Sequence, residues 1–307
     1  MFALTLANLL ACILTAVICI RKGVFPRRQS RTLQLQKQKS ILQKGLYLFL
    51  YNSCFYFILI SIRTIISVNY TVEEFGYFTF SFTIANAVML LLDSFNTILF
   101  PKTIDLMSSD DNKKKADALE KMRVGYILTS HMLVYLAMIC FPILVWFIPK
   151  YMPALSSMNM IALAALMNTN SYGYSNMLIA QNKEHKAGFI SAVSLIVNII
   201  LGLGLAKILN VEYSYITIAI LVAYMISSFL MAYEGDTILR REKSVSYTLK
   251  HFFPIRMFIP YMIALIISCT QIEYLIFIPL LVFIMLNYKD LQFLKNIALK
   301  LIKEPEV

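Results

Sequence analysis

The sequence predicts an all-α membrane protein that crosses a bilayer about nine times. Three observations carry this: nine apolar runs of bilayer length, basic residues confined to alternate connections, and a bulk composition of 59% hydrophobic residues with a mean hydropathy of +0.69. The runs are 2–20, 45–68, 76–100, 124–148, 155–180, 188–209, 214–233, 252–269 and 272–288, each close to the ~20 residues that a hydrocarbon core requires. Of the 28 Lys and Arg residues, 25 fall in alternate connections, which by the positive-inside rule are cytoplasmic. The amino terminus is then outside and the carboxyl terminus cytoplasmic.

Taken in order, span 2–20 has no positive residue before it and is too long for a signal-peptide core, so it is expected to remain as a span. The basic linker 21–44 follows, with eight Lys/Arg and no acid. Six spans occupy 45–234, two further spans 252–288, and a basic tail 289–307. The cytoplasmic stretches 101–123, 181–187 and 235–256 hold six, two and five Lys/Arg, whereas the short outer turns hold Glu73, Glu74, Glu212 and Glu273. The run Ser-Ser-Asp-Asp-Asn-Lys-Lys-Lys at 108–115 reads as a solvated loop. Pro254, Arg256 and Pro260 predict a kinked or partly interfacial segment between Tyr247 and Cys269.

These features exclude several function classes. A net charge of +11 spread over cytoplasmic loops serves orientation and attraction to anionic lipid, not nucleic-acid binding. Cys12, Cys19, Cys54, Cys140 and Cys269 all lie within apolar runs, which predicts neither a disulfide framework nor a metal site. No cofactor is implied. A membrane enzyme would need clustered acid, base or nucleophile groups near one interface; of His131, His185 and His251, only His131 is intramembrane. A sugar polymerase or acyltransferase is therefore the weaker alternative.

Polar residues within the spans hold the chemistry, because they are costly there and usually face protein or water. Gly45, Asn52, Tyr56, Arg63 and Tyr70 fall within about 40° around a helix, a polar stripe down the second span. Thr79, Thr83, Asn86, Asp93 and Thr97 repeat it on the third within about 80°. Ser191, Ser194, Asn198 and Gly202 on the sixth either line a polar interior or pack a helix contact. Arg63 lies close enough to the outer interface to snorkel. Asp93 and His131 fall at one depth on consecutive spans, where they either form an ion-sensitive pair or the histidine bonds a neighbouring helix. The fifth span is polar all round at Met-Asn-Thr-Asn-Ser-Tyr-Gly-Tyr-Ser-Asn, 167–176. It must be shielded by protein or locally unwound near Gly173. Asn168, Tyr172 and Ser175 share one face of it, and such amide and aromatic groups suit sugar rings.

Several motifs resemble one family. Lys44-Gly45-Leu46-Tyr47 through Ser61-Ile62-Arg63-Thr64-Ile65-Ile66, then Glu73-Glu74-Phe75-Gly76-Tyr77, Ala85-Asn86-Ala87 and Leu99-Phe100-Pro101-Lys102, look like the start of the second lobe of bacterial polysaccharide flippases. These belong with the multidrug-efflux and lipid II flippases. Asn176-Met177-Leu178-Ile179-Ala180-Gln181-Asn182-Lys183 is similar to a later part of that lobe, so the resemblance spans roughly 40–235. The family pattern often has an acid just before the arginine, where Ile62 stands here.

The resemblance implies two six-helix lobes around a cavity, with 45–234 as the second lobe, 252–288 as an added helix pair and 1–20 as the last helix of an otherwise missing first lobe. A second copy or a partner would then complete the assembly. It implies transfer of an undecaprenyl-pyrophosphate-linked oligosaccharide from the inner to the outer leaflet of the bacterial cytoplasmic membrane, for a surface polysaccharide such as O-antigen or capsule. On that reading Arg63 engages the headgroup or sugar, Asn52, Tyr56, Asn86, Asn168 and Tyr172 line the cavity, and Asp93 with His131 couples to an ion. An inactive fragment or a scaffold subunit of an export complex is the alternative.

Overall fold

The computed structural model describes residues 14, 15, 17, 18, 21, 31–108, 112–240 and 245–303. The expected span 2–20 lies almost wholly outside the described residues, as do 22–30 of the linker, 109–111 of the presumed loop and 304–307 of the tail. The chain forms two compact units, Met1–Leu46 and Tyr47–Val307. Of the first, the described part is chiefly the start of a helix. The second is an α-helical bundle.

The helices are α1 (Arg31–Asn69), α2 (Val72–Ser108), α3 (Asn112–Phe147), α4 (Leu155–Thr169), α5 (Tyr174–Ala180), α6 (Glu184–Leu203), α7 (Thr217–Arg240), α8 (Val245–Phe252), α9 (Ile255–Thr270) and α10 (Ile278–Lys303). Among the described residues, five segments are long and apolar enough to cross a membrane: Gln36–Asn69, Val72–Ser94, Leu119–Phe147, Glu184–Ile208 and Tyr213–Ile238. Nine were expected. The difference lies in the fifth run, which is divided into α4 and α5; in α9, which is apolar but short; in the first run, which is almost undescribed; and in the ninth, which is continuous with the charged end of α10.

A second difference concerns the polar stretches. The linker is helical from Arg31, and 101–108 and 112–123 extend α2 and α3, so α1, α2 and α3 reach 39, 37 and 36 residues. Lys, Arg, Gln, Glu and Leu dominate 31–44 and 112–123 and all favour helix, which lets α1 and α3 continue past the bilayer. The presumed loop at 108–115 is helical again from Asn112.

The connections sort to two ends. At one end Thr71 and Glu74 form a capping box that starts α2: the Thr71 N–H donates to Glu74 Oε2 at 2.9 Å and the Glu74 N–H to Thr71 Oγ1 at 3.2 Å. Tyr70 Oη donates to the Val211 carbonyl at 2.6 Å, Tyr213 Oη to that of Pro153 at 2.6 Å, and Tyr215 Oη to that of Cys269 at 2.9 Å. These bonds join the α1–α2, α3–α4, α6–α7 and α9–α10 connections. At the opposite, basic end Arg256 bonds Asp290 and Lys186 bonds Glu234.

At the centre is α4, in which every residue but Asn168 is buried. It lies against α2, α3, α7 and α9. Ala162, Ala164 and Ala165 let those neighbours approach, since small side chains drive helix packing where lipid offers no hydrophobic gain. The stripe on α6 proves to be a helix contact: Asn198 Nδ2 donates to the Ile58 carbonyl and Ser61 Oγ, both at 2.9 Å. A Cβ at Gly202 would stand 2.7 Å from Ile62 Cδ1. The α9–α10 pair packs through aromatic groups, with His131 stacked on Phe283 at 5.5 Å and Tyr261 Oη donating to the Leu163 carbonyl at 3.3 Å. The expected disturbance near Pro254 is a break between the amphipathic α8 and α9, with the Pro254 carbonyl capping the amides of Met257 and Phe258.

The break between α4 and α5 answers the question posed by 167–176, because protein shields it and it also unwinds. Gly173 adopts φ +81°, and a Cβ there would meet Leu119 Cδ1 at 2.2 Å. Ser228 Oγ donates to the Met167 carbonyl at 2.9 Å, Ser171 Oγ to that of Asn168 at 2.9 Å, and Arg123 Nε to that of Asn170 at 3.2 Å. Arg123, counted by sequence among the loop cations, is buried; its Nη2 donates to the Phe252 carbonyl at 2.9 Å and its guanidinium lies 4.9 Å from the centre of the Tyr174 ring. Asp236 accepts from Tyr174 Oη and Thr248 Oγ1, both at 3.0 Å, which ties α5 and α8 to α7. A Gly173→Ala substitution is expected to lower stability by roughly 1–3 kcal/mol, the cost of a left-handed backbone without glycine, and to lower the melting temperature in detergent. An unchanged melting temperature would contradict the break.

Candidate functional site

A polar cleft opens beside the break. It has about 70 Å³ of room and is lined by Tyr51 of α1, Met89, Leu92, Asp93 and Asn96 of α2, Tyr126 of α3, Ala165, Asn168 and Thr169 of α4, and Ser171, Tyr172 and Ser175 of the turn and α5. Asn168, Ser171 and Tyr172, spaced i, i+3 and i+4, keep to one side across the break and meet the groups of α1, α2 and α3 there. The Tyr172 ring stacks on Tyr126 at 4.1 Å with an interplanar angle of 24°, and Tyr126 Oη donates to the Leu92 carbonyl at 3.2 Å. Asp93 is exposed to the cleft, and among the described residues its carboxylate has no hydrogen-bond or ion-pair partner. Among the described residues no Lys, Arg or His lines the cleft.

Such a site holds a negative charge among hydroxyls and amides that both donate and accept. Its volume admits a few waters and no more. In this conformation it fits a proton or a hydrated cation at Asp93, while a sugar ring needs a wider opening.

The structure divides the expected site residues into separate groups. Asp93, Asn168 and Tyr172 come together, with Ser175 on the same face as the sequence spacing requires. Asn52, Tyr56 and Arg63 do share one face of α1, but that face is exposed and apart from the cleft. The Arg63 guanidinium lies 5.5 Å from the centre of the Phe75 ring near the opposite end of the bundle. Asn86 is half-buried on α2 and does not line the cleft.

His131 is not beside Asp93. It is completely buried, its Nδ1 3.1 Å from Tyr135 Oη and its ring between Phe253 and Phe283. Equal depth places two residues at one level without turning them toward each other, and here α3 directs His131 to the α9–α10 pair.

Sequence reasoning missed Tyr51, Asn96, Tyr126, Thr169 and Ser171 as cleft residues. Thr169 and Ser171 lay within the polar run already singled out. Tyr51 adjoins the α1 stripe and Asn96 the α2 stripe, but tertiary packing alone brings them to the break. Among the described residues no group of three or more His, Cys, Asp or Glu could hold a metal ion.

No family model, no curated protein and no solved structure matches this chain. The chain is an all-α protein with the helices of a multi-pass membrane protein. In a cysteine-free background, Asn168→Cys and Ser175→Cys are expected to react with a small membrane-impermeant thiol reagent, and Ser194→Cys, packed within the bundle, to resist it. Equal labelling of all three would remove the cleft.

Proposed function

We propose that the bundle is the lobe of a carrier that moves a lipid-linked oligosaccharide repeat unit from the cytoplasmic to the outer leaflet, as the likeness to polysaccharide flippases implies. The single observation that supports a carrier best is the Asp93 cleft: an unpaired carboxylate beside a broken helix, within a bundle whose helices are long and apolar enough to cross a membrane. Broken helices lining polar sites are how transporters expose backbone and charge inside a bilayer.

On this reading the two groups of residues have separate tasks. Asp93, assisted by Asn168, Tyr172 and Ser175, takes up the proton or cation that biases the carrier between its inward and outward states. Its carboxylate is a short, fixed charge, so neutralising it changes which state the surrounding helices favour. Arg63, on the exposed face with Asn52 and Tyr56, engages the pyrophosphate or the first sugar, since a guanidinium matches phosphate oxygens with paired donors. Asn86 extends that polar face along α2. His131 holds the α9–α10 pair in place and takes no direct part.

Two substitutions test the reading in a strain that lacks its own repeat-unit exporter. Asp93→Asn is expected to preserve folding and abolish the dependence of export on pH or on the cation gradient; export with unaltered dependence would exclude the coupling role. Arg63→Ala, expressed at the wild-type level, is expected to reduce export at least about tenfold, corresponding to loss of one charge-assisted contact of about 1.5–3 kcal/mol. Normal export by that variant would exclude the headgroup role.

A further inference from the structure

On another side of the bundle, at the basic end, Met167, Met225, Ile226, Phe229, Leu230, Leu249, Phe252, Phe253, Ile255 and Phe258 line a groove of about 530 Å³. Among the described residues its lining is apolar throughout. Four lining residues open it outward: Ile255 is 74% exposed, Leu249 55%, Phe258 45% and Met225 40%. The groove therefore faces hydrocarbon, not the cleft. Its floor is closed by Phe252 and Met167, and the carbonyls of both are already taken, by Arg123 Nη2 and Ser228 Oγ respectively. Those two carbonyls are thus closed to a polar guest.

A cation stands beside the groove. Arg256 follows the lining residue Ile255, its side chain is about half exposed, and its guanidinium uses Nη1 alone to bond Asp290, at 2.6 Å. Its remaining N–H groups have no partner among the described residues. By sequence the stretch 235–256 holds Arg240, Arg241, Lys243, Lys250 and Arg256 against Asp236 and Glu242, and Asp236 is internally bonded. Above the groove, α8 places Val245 and Leu249 outward, both more than half exposed, on the face that also carries Phe252. A short amphipathic helix of this kind lies in the interface, where phosphates sit above acyl chains.

From this geometry we infer that the groove binds an anionic glycerophospholipid, with one acyl chain along Phe229, Phe253 and Phe258 and the phosphate on Arg256. The chain gains little from entering an apolar groove, because it leaves an apolar solvent. Selectivity comes from the phosphate, at about 1 kcal/mol for each basic side chain near the surface. The lipid braces α8 against α7 and α9. It thus holds the element whose Phe252 carbonyl anchors Arg123, and through Arg123 the α4–α5 break.

Native mass spectrometry of the purified chain tests this with phosphatidylglycerol, chain-matched phosphatidylcholine and a polyprenyl phosphate. Phosphatidylglycerol is expected to be retained about fivefold over phosphatidylcholine, the ratio set by one basic contact, and Arg256→Gln to bring the two together. Met225→Trp and Leu249→Trp, each at the open rim, are expected to reduce retention of both phospholipids while the melting temperature in lipid-free detergent stays unchanged. Equal retention of the two phospholipids by the wild type would overturn the inference. So would displacement of phosphatidylglycerol by equimolar polyprenyl phosphate, which would make the groove a site for an isoprenoid chain.

Discussion

Backbone groups released by a broken helix have no water to turn to inside a bilayer, and each one left unbonded costs several kcal/mol. Here the break between Thr169 and Tyr174 is tolerated because other helices supply donors at fixed points: Ser228 from α7, Arg123 from α3 and Ser171 from the turn itself. That requirement explains why α4 is the buried centre and why Arg123 is sequestered, since a loop cation could not reach Asn170. It also explains the Asp236 contacts, which fix Tyr174 and α8 to the same scaffold.

The cleft lies beside that arrangement. Asn168, Ser171, Tyr172 and Ser175 keep the one side that helical spacing gives them, and α1, α2 and α3 contribute Tyr51, Asp93 and Tyr126 to meet them. Asp93 costs less there than in lipid because hydroxyls and a few waters stand in for bulk solvent. The same groups leave its charge uncompensated, so a change in its ionisation is felt by the helices around it. A structural carboxylate would resemble Asp236, which is buried and bonded through both oxygens.

Much of this was legible in the sequence, for stated reasons. Apolar runs and segregated charge disclose helices and alternate ends, and an all-round polar segment in a span called for either shielding by protein or unwinding near Gly173. Helical angles brought Asn168, Tyr172 and Ser175 to one side, and they left the α6 stripe open between lining and packing, which Asn198 resolves toward packing. Other features were not legible. Charge marks where a span leaves the bilayer but not where its helix stops, so the extensions of α1, α2 and α3 read as loops. Depth along a span carries no azimuth between helices, so Asp93 and His131 looked like neighbours. Arg123 counted as one more basic residue at an interface, because its partners at 170 and 252 are distant in sequence.

The described bundle presents two unlike faces, and their difference constrains how it sits among neighbours. The groove of α7, α8 and α9 exposes Met225, Leu249, Ile255 and Phe258, side chains that acyl chains can cover at no cost. The outward faces of α1 and α2 instead expose Asn52, Arg63, Thr64, Ser67, Thr83, Asp93, Ser94 and Thr97 among Phe49, Tyr56 and Phe57. A charged group facing the bilayer centre costs about 3 kcal/mol on the insertion scale. Arg63 is long enough to snorkel to its interface, whereas the shorter Asp93 side chain relies on the hydroxyls and amides of the cleft. A second copy of this chain, placed by a two-fold axis normal to the membrane, would set Arg63 opposite Arg63 and Asp93 opposite Asp93. Like charges at equal depth repel when they touch, so such a pair would leave a wet space between the faces. A lobe of different sequence could instead close it with opposite charges. In either arrangement the polar faces would turn inward and the groove would turn to lipid.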